Sequence, residues 1–512
     1  MREVAVKNLA RLNEEAIERR GDYQSLFFEG RWHGSAELFE RSRRLAGGLI
    51  ELGIKPGERV VVCMANCPEV TVAYHALWRA GAVATPALFL LATEDLRHVI
   101  ADSEASAVIT TPEFVDKVRD AVAPLEHVRH VISAGQVAPD AHGGVLDLGA
   151  LEESDPAPIV PRADDDLAVL LYTGGTTGRA KGVMISHASL NFTGQAVEKA
   201  AHVDGMNRHL MTLPLAHAYG ILITISGLHA PERPVVMLMR WFDPGGFLAL
   251  VQEHKVQSAP LVPSMIQMLL SQPVEEFDLR SLTVLGSGAA PLPPEVVEEV
   301  RRRLPWVSIR EGYGLSETAA LVSTNPAGRE KPGSVGLPVP GTSVRILDDA
   351  DQPLPAGEPG EVCVRSTAVM QGYWRAPEAT AEAIRDGWLH TGDIGYLDDE
   401  GYLFIVDRKK DLIIRGGFNV YPRDIEDVLL EHPAVAAAGV VGRPDERRGE
   451  EVVAFVSLSS PDAVSADGLV AWARERIGGY KYPREVHIVD TIPLTAVGKL
   501  DRKELRARVG GA

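Results

Sequence analysis

The stretch Tyr172-Thr173-Gly174-Gly175-Thr176-Thr177-Gly178-Arg179-Ala180-Lys181-Gly182 decides how this sequence is read. It follows directly on an apolar run, 167–172, that reads as a buried strand. Gly174, Gly175 and Gly178 let the backbone turn with its N–H groups pointing inward, as an anion-binding nest requires. Thr173, Thr176 and Thr177 add hydroxyl donors, and Lys181 adds a mobile cation. Together they suit a polyphosphate. The spacing is not the Walker form, because no Gly-Lys-Ser/Thr closes it. The plain alternative is a glycine-rich turn in solvent. The Thr/Gly alternation, ending in lysine and placed after a strand, outweighs it.

Working outward, residues 58–134 alternate strand and helix. The run 59–65 reads as a short buried strand, and Asn66 with Pro68 opens a helix that ends at Gly81. Strands are expected at 82–87, 107–111 and 130–134, with a helix opened by Thr93, Glu94 and Asp95. A Pro/Asp-rich connector, 154–166, interrupts the pattern. A second series covers 233–312, where Asp243 and Pro244 cap a helix. Repeated βα units argue for parallel sheets covered by helices. From 330 onward, glycine, proline and short alternating strands suggest a small antiparallel unit, and a compact α+β segment follows a basic run at 407–410.

Composition sets limits. At ~150 residues per domain, 512 residues make three or four domain-sized units. Lysine and arginine number 52 against 70 aspartate and glutamate, a net charge of −18, with no basic block. An electrostatic grip on nucleic acid is therefore not expected. An anionic ligand must be held by backbone N–H groups and a few placed cations. Three cysteines without a partner cluster argue against a zinc site or a disulfide framework, and for a reducing cytoplasm. The most apolar run, 81–92, contains Pro86 and falls short of the ~20 residues of a membrane span.

The phosphate loop resembles that of the adenylate-forming superfamily: acyl-CoA ligases, peptide-synthetase adenylation domains and firefly luciferases. That pattern usually reads Tyr-Thr-Ser-Gly-Thr-Thr-Gly-x-Pro-Lys-Gly. Here Gly174 replaces serine, removing a hydroxyl donor, and Ala180 replaces proline, loosening the approach to Lys181.

The resemblance runs along nearly the whole chain in the family's order. Leu213-Pro214-Leu215-Ala216-His217-Ala218-Tyr219-Gly220 resembles the segment whose histidine lines the acyl pocket. Gly286-Ser287-Gly288-Ala289-Ala290-Pro291 resembles the turn along the adenine ring. Glu311-Gly312-Tyr313-Gly314-Leu315-Ser316-Glu317-Thr318 is similar to the Tyr-Gly-x-Thr/Ser-Glu motif. Its chemistry is legible by itself: an aromatic beside glycine offers a stacking face, and a hydroxyl beside a carboxylate suits an α-phosphate and Mg²⁺. Asp393, in Trp388-Leu389-His390-Thr391-Gly392-Asp393, matches the aspartate that accepts from both ribose hydroxyls. Arg408 matches an arginine that also reaches the ribose, and Lys410 the hinge. Gly416, Gly417 and Phe418 resemble the loop walling the pantetheine tunnel, where glycine lets a thin thiol arm pass. Lys499, in Pro493-Leu494-Thr495-Ala496-Val497-Gly498-Lys499, matches the lysine that bridges carboxylate and α-phosphate. Taken singly, each residue has an ordinary reading as a loop or solvated turn; the ordered set does not.

The resemblance implies an α/β fold with a large N-terminal domain, 1–409, of two βα-layered sheets plus a small β-barrel-like unit (roughly 1–160, 161–330 and 331–409). A small, mobile α+β domain, 410–512, follows the Lys410 hinge. It also implies an acyl-CoA ligase that uses ATP, Mg²⁺ and coenzyme A, with Lys499, Glu317 and His217 catalytic and Glu317 holding the metal. The nucleotide would be held by Thr173, Gly174, Gly175, Thr176, Thr177, Gly178, Lys181, Gly288, Ala289, Glu311, Gly312, Tyr313, Ser316, Asp393 and Arg408. The acyl pocket would comprise His217, Ala218, Gly220, Gly286, Ser287 and Leu315. Several of these are small, no basic residue among them stands ready for a second carboxylate, and no aspartate matches the site that holds a substrate ammonium. A hydrophobic monocarboxylate, long or bulky, is therefore expected. The short sequence after Lys499 and the 413–422 segment favour CoA over a carrier protein. Three readings stay open beside this one: an enzyme that only accepts a preformed acyl-adenylate, a carrier-loading ligase, and a silent nucleotide-binding scaffold. A homodimer is left open.

Overall fold

The computed structural model describes residues 8–136, 144–173, 179–416, 418–445, 447–461, 463–477, 479, 481–495 and 500–510. By internal contacts the chain divides into two compact units. The first comprises Met1–Leu292, Glu298–Ser343 and Val364–Leu389; the second comprises Pro293–Val297, Val344–Cys363 and His390–Ala512. Parts of the 331–409 segment thus group with the C-terminal residues, whereas the sequence reading groups that segment with what precedes it.

The first unit is built on two large sheets, of eight and nine strands. The Arg59–Cys63 strand lies inside the eight-stranded sheet, parallel to both Val83–Pro86 and Ala107–Thr110. Its residues are nearly all apolar because both faces are covered, as parallel sheets demand. Val60 and Val62 enter one core, while Val61 and Cys63 enter another on the opposite face. The helices Pro68–Arg79 and Thr93–Asp102 follow their strands as the βα pattern predicts. In the nine-stranded sheet, Val235–Leu238, Ser258–Leu261, Val284–Ser287 and Ser308–Tyr313 run mostly parallel. The Asp243 carboxylate accepts from Gly246 N at 2.6 Å and so caps Pro244–His254, as the Asp-Pro pair predicts. The sequence reading passes over the hairpin of Gln24–Phe28 with Arg31–Gly34, which extends this sheet at its edge.

The Leu167–Thr173 strand joins the eight-stranded sheet beside Val83–Pro86 and turns back as Lys181–Ser186, an antiparallel pair on a largely parallel sheet. Residues 161–330 therefore supply strands to both sheets.

In the second unit, Val435–Asp445 and Gly449–Leu458 form a long hairpin with a core on each face. Val440, Val452, Ala454 and Val456 pack on the Pro422–Leu430 side, whereas Val441, Val453 and Phe455 pack on Leu505 and Val509 of the last helix, Arg502–Gly510. That helix is anchored by charge as well. Arg502 reaches both oxygens of the buried Glu426 at 2.7 Å, and Glu426 also accepts from Val440 N at 2.8 Å. Arg506 reaches Asp411 at 2.6 Å.

Arg502→Ala should destabilise the second unit by about 3–5 kcal/mol, because Glu426 would be left buried and unpaired. Hydrogen exchange on the full chain should show the Val440 amide and the last helix losing protection. Unchanged protection would show that apolar packing alone holds that helix.

Candidate active site

In the first unit the antiparallel pair sets the site. Thr173 and Lys181 are direct register partners, so the strands bring the two ends of the phosphate loop together. Gly174, Gly175, Thr176, Thr177 and Gly178 lie outside the described residues. The Gly372–Tyr373 strand pairs with Lys181–Ser186, with Tyr373 opposite Val183. It places the Tyr373 ring 5.1 Å from the Lys181 ammonium, within cation–π range. The Tyr373 hydroxyl donates to Glu317 Oε1 at 2.9 Å. Burial, and then the Glu317 charge, push the phenol above its ordinary range, so Tyr373 remains a donor. The main chain of Glu317 is fixed too: its carbonyl accepts from Met370 N at 2.8 Å.

Cation, phenol and carboxylate thus form one connected group. The sequence names Lys181 and Glu317 but misses Tyr373. Its only signal is an aromatic after Gly372, and its partner is 56 residues away.

The other predicted residues of this unit fall into two turns. Glu311, Gly312 and Tyr313 end the Ser308–Tyr313 strand, and Leu315 opens the Ser316–Thr318 turn that carries Glu317. Gly314 has no room for a side chain: a Cβ would lie 2.1 Å from the Ala320 carbonyl oxygen. Ala319 and Ala320 follow with φ of 46° and 78°, and Ala289 has φ of 69°. Left-handed non-glycine backbone of this kind is costly and gathers at functional sites. Gly286, Ser287, Gly288 and Ala289 run past Tyr219. A Cβ on Gly286 would lie 3.4 Å from the Tyr219 hydroxyl, and one on Gly288 3.5 Å from its ring. The Ser287 hydroxyl is buried without a hydrogen-bond partner.

His217 is the N-cap of the Ala218–His229 helix, and its Nδ1 accepts from Tyr219 N at 3.3 Å. Its ring is therefore oriented by backbone. Ala218 is buried in the first turn. At Gly220 a Cβ would lie 2.4 Å from the Pro214 carbonyl oxygen and 2.6 Å from Leu215 Cα. The face a side chain would use is turned to backbone. Enlarging Gly220 would break this turn and is no gauge of pocket size.

The second unit carries its own set. Asp393 and Arg408 are register partners on antiparallel strands, Trp388–Leu397 and Leu403–Arg408. Arg408 Nε lies 3.0 Å from Asp393 Oδ1; the carboxylate is buried and the guanidinium exposed. The two residues the sequence assigns to the ribose therefore form one ion pair. The approach to Asp393 is braced: Asp393 N donates to Thr391 Oγ1 at 3.1 Å, and Thr391 Oγ1 donates to the Val362 carbonyl at 2.7 Å. Lys410 sits in the Lys409–Asp411 turn. Gly416, at φ 61°, turns the chain between Ile413–Arg415 and Phe418–Val420, with Ile414 and Phe418 exposed at its sides. Gly417 and Lys499 lie outside the described residues.

Comparison with known proteins shows the family of the chain. The family model of the AMP-binding enzymes matches residues 13–374, and that of the AMP-binding enzyme C-terminal domain matches 424–499. A feruloyl-CoA synthase from an Amycolatopsis species is 38% identical, over 93% of this chain and 94% of its own. A long-chain-fatty-acid–CoA ligase from Escherichia coli is 35% identical, over 99% and 95%. Among solved structures, an amide bond synthetase from Marinactinospora thermotolerans superposes with a TM-score of 0.88 at 31% identity, covering 98% of this chain and 99% of its own. With the family model matching more than half of the chain and relatives of 35–38% identity along nearly all of it, this chain belongs to the AMP-binding enzymes, within the acyl- and aryl-CoA ligases.

Proposed function

We propose that this ligase converts a hydrophobic monocarboxylic acid, long or bulky, to its CoA thioester through an acyl-adenylate that it makes itself from ATP. The Lys181–Tyr373–Glu317 group is the observation that carries this reading. An enzyme that only accepted a finished adenylate would have no pyrophosphate to hold, and a scaffold would need none of the three side chains. Small residues beside Tyr219 and the unpartnered Ser287 hydroxyl support a site completed by its ligand. The relatives' names, feruloyl-CoA synthase and long-chain-fatty-acid–CoA ligase, are those of ligases for acids of this kind.

In the first half-reaction a carboxylate oxygen attacks the α-phosphorus and pyrophosphate leaves. Catalysis is positioning plus stabilisation of spreading negative charge. Thr173 and Lys181 hold the leaving group, and Lys499 meets the charge on the α-phosphate. Asp393 and Arg408 hold the ribose, while Gly288, Ala289 and Tyr313 flank the base. Glu317 suits a hard divalent cation. Its second oxygen has no bond to Tyr373, and no cluster of three or more potential ligands stands among the described residues. The phosphates would then supply the remaining oxygens. Once bound, such a cation neutralises phosphate charge. In the second half-reaction the CoA thiolate attacks the adenylate carbonyl and AMP leaves. A boundary at 409/410, pivoting at Lys410, and a thiol tunnel at 416–418 belong to the same proposal. The bond from Arg506 to Asp411 fits it, since it ties the chain just beyond Lys410 to the last helix.

The test is thioester formation over a panel of short, long, aryl, polycyclic and malonate-like acids. It is run once with ATP and free acid, and once with synthetic acyl-adenylate. Long or bulky monocarboxylates should be turned over well in both arms and malonate-like diacids poorly. A diacid as best substrate would overturn the acid class. Activity confined to the adenylate arm would establish an adenylate-accepting enzyme instead.

Tyr373→Phe should raise the Mg²⁺ concentration for half-maximal adenylation by about three- to tenfold, the net worth of one ordinary hydrogen bond. The KM for CoA should not change. An unaltered Mg²⁺ dependence would remove Tyr373 from the site.

A further inference from the structure

One helix grips both stems of the phosphate loop. On Thr93–Asp102, His98 and Asp102 are four residues apart and so share a face. Asp102 Oδ2 accepts from the Tyr172 hydroxyl at 2.6 Å, on the strand that enters the loop. His98 Nε2 lies 2.9 Å from the Ala180 carbonyl oxygen, on the stem that leaves it. A carbonyl can only accept, so Nε2 carries the proton. The His98 ring meets the Tyr172 ring edge-on, with centroids 6.3 Å apart.

A third element closes the clamp. Trp374 Nε1 donates to the Asp102 carbonyl at 3.0 Å, and Trp374 N donates to the Gly182 carbonyl at 2.7 Å. Gly182 has little room between them: a Cβ would sit 3.1 Å from Trp374 Cβ and 3.2 Å from Tyr172 Cζ. Since Tyr172 pairs with Gly182 and Thr173 with Lys181, fixing Tyr172 and Ala180 fixes the Thr173–Lys181 pair.

Ala180 stands where the resembling loops carry proline. A proline ring would restrict φ ahead of the lysine; alanine does not. His98 supplies an outside restraint at the same residue.

We propose that His98 and Asp102 are positioning residues for the adenylation half-reaction, with His98 replacing through the Ala180 carbonyl the restraint that a proline ring would give to Lys181. This rests on the reading that the enzyme makes its own adenylate. Neither side chain needs to touch substrate. The thioester half-reaction, which holds no pyrophosphate, does not use the clamp.

The experiment compares wild type with His98→Ala, His98→Gln, Tyr172→Phe, and His98→Ala combined with Ala180→Pro. Each is assayed for ATP-dependent pyrophosphate release with the best acid and for thioester formation from synthetic adenylate and CoA. His98→Ala should raise the KM for ATP about tenfold, the loss of one partly buried hydrogen bond, and leave the adenylate-driven rate unchanged. Tyr172→Phe should show the same split. His98→Gln, which keeps an N–H donor, should retain most of the wild-type KM. Ala180→Pro should restore the KM of the His98→Ala enzyme. Equal losses in both half-reactions, an unchanged KM for ATP, or no restoration by Ala180→Pro would overturn the clamp. Should His98→Ala fold poorly, as a lowered melting temperature would reveal, the glutamine and phenylalanine variants decide by the same criteria. Wild type that releases no pyrophosphate while using synthetic adenylate would overturn the function reading and the clamp together. An active wild type with an indifferent His98→Ala would overturn the clamp alone.

Discussion

A protein of net charge −18 that handles a polyphosphate must supply all its attraction locally. The constraint that answers this is the antiparallel pairing of Leu167–Thr173 with Lys181–Ser186. It brings the two ends of a glycine-threonine segment together, so that a threonine and a lysine eight positions further along face each other across two strands. The surrounding sheet makes that pairing rigid. Leu167–Thr173 lies against Val83–Pro86, and Ala168, Val169 and Leu171 are buried in the main core. Thr173 and Lys181 are then held in place by strands packed into that core.

The same pairing recruits the rest of this half of the chemistry. Lys181–Ser186 offers its free side to Gly372–Tyr373, and Tyr373 in turn reaches Glu317. Residues distant in sequence thereby acquire one electrostatic function: a cation over an aromatic face, and a carboxylate with one oxygen committed and one available. The second unit is organised in the same way. A two-stranded register sets Asp393 against Arg408 and so pairs a buried carboxylate with an exposed guanidinium.

What the sequence discloses follows the range of each signal. The capping pair Asp243-Pro244, the buried run Arg59–Cys63 and the turn at Gly81 are local, and each predicts its element. The order of glycine-rich motifs exposes the chemistry because glycine marks places where backbone must approach backbone, as at Gly314. Contacts made by topology leave no such trace. Nothing near Tyr373 points to Glu317, and nothing near Ala180 points to His98, which lies 82 residues away. Gly220 illustrates the reverse error. Its small size suggests an open pocket, yet a Cβ at this position would meet the Pro214–Leu215 backbone. The edge hairpin Gln24–Phe28 with Arg31–Gly34 is missed for a different reason: its strands are too short for alternation to register, and only the Glu29-Gly30 turn, with φ of 45° and 82°, marks it.

The central claim is that the chain forms the acyl-adenylate although Gly174 removes one hydroxyl from the phosphate loop. The loss of one preorganised donor can slow a step by ~10²–10³ without abolishing it. Exchange of labelled pyrophosphate into ATP, in the presence of a long or aryl monocarboxylate and without CoA, reads that step alone. The account predicts acid-dependent exchange, faster in Gly174→Ser and absent in Lys499→Ala. No exchange by the wild type, together with rapid thioester formation from synthetic adenylate, would contradict it.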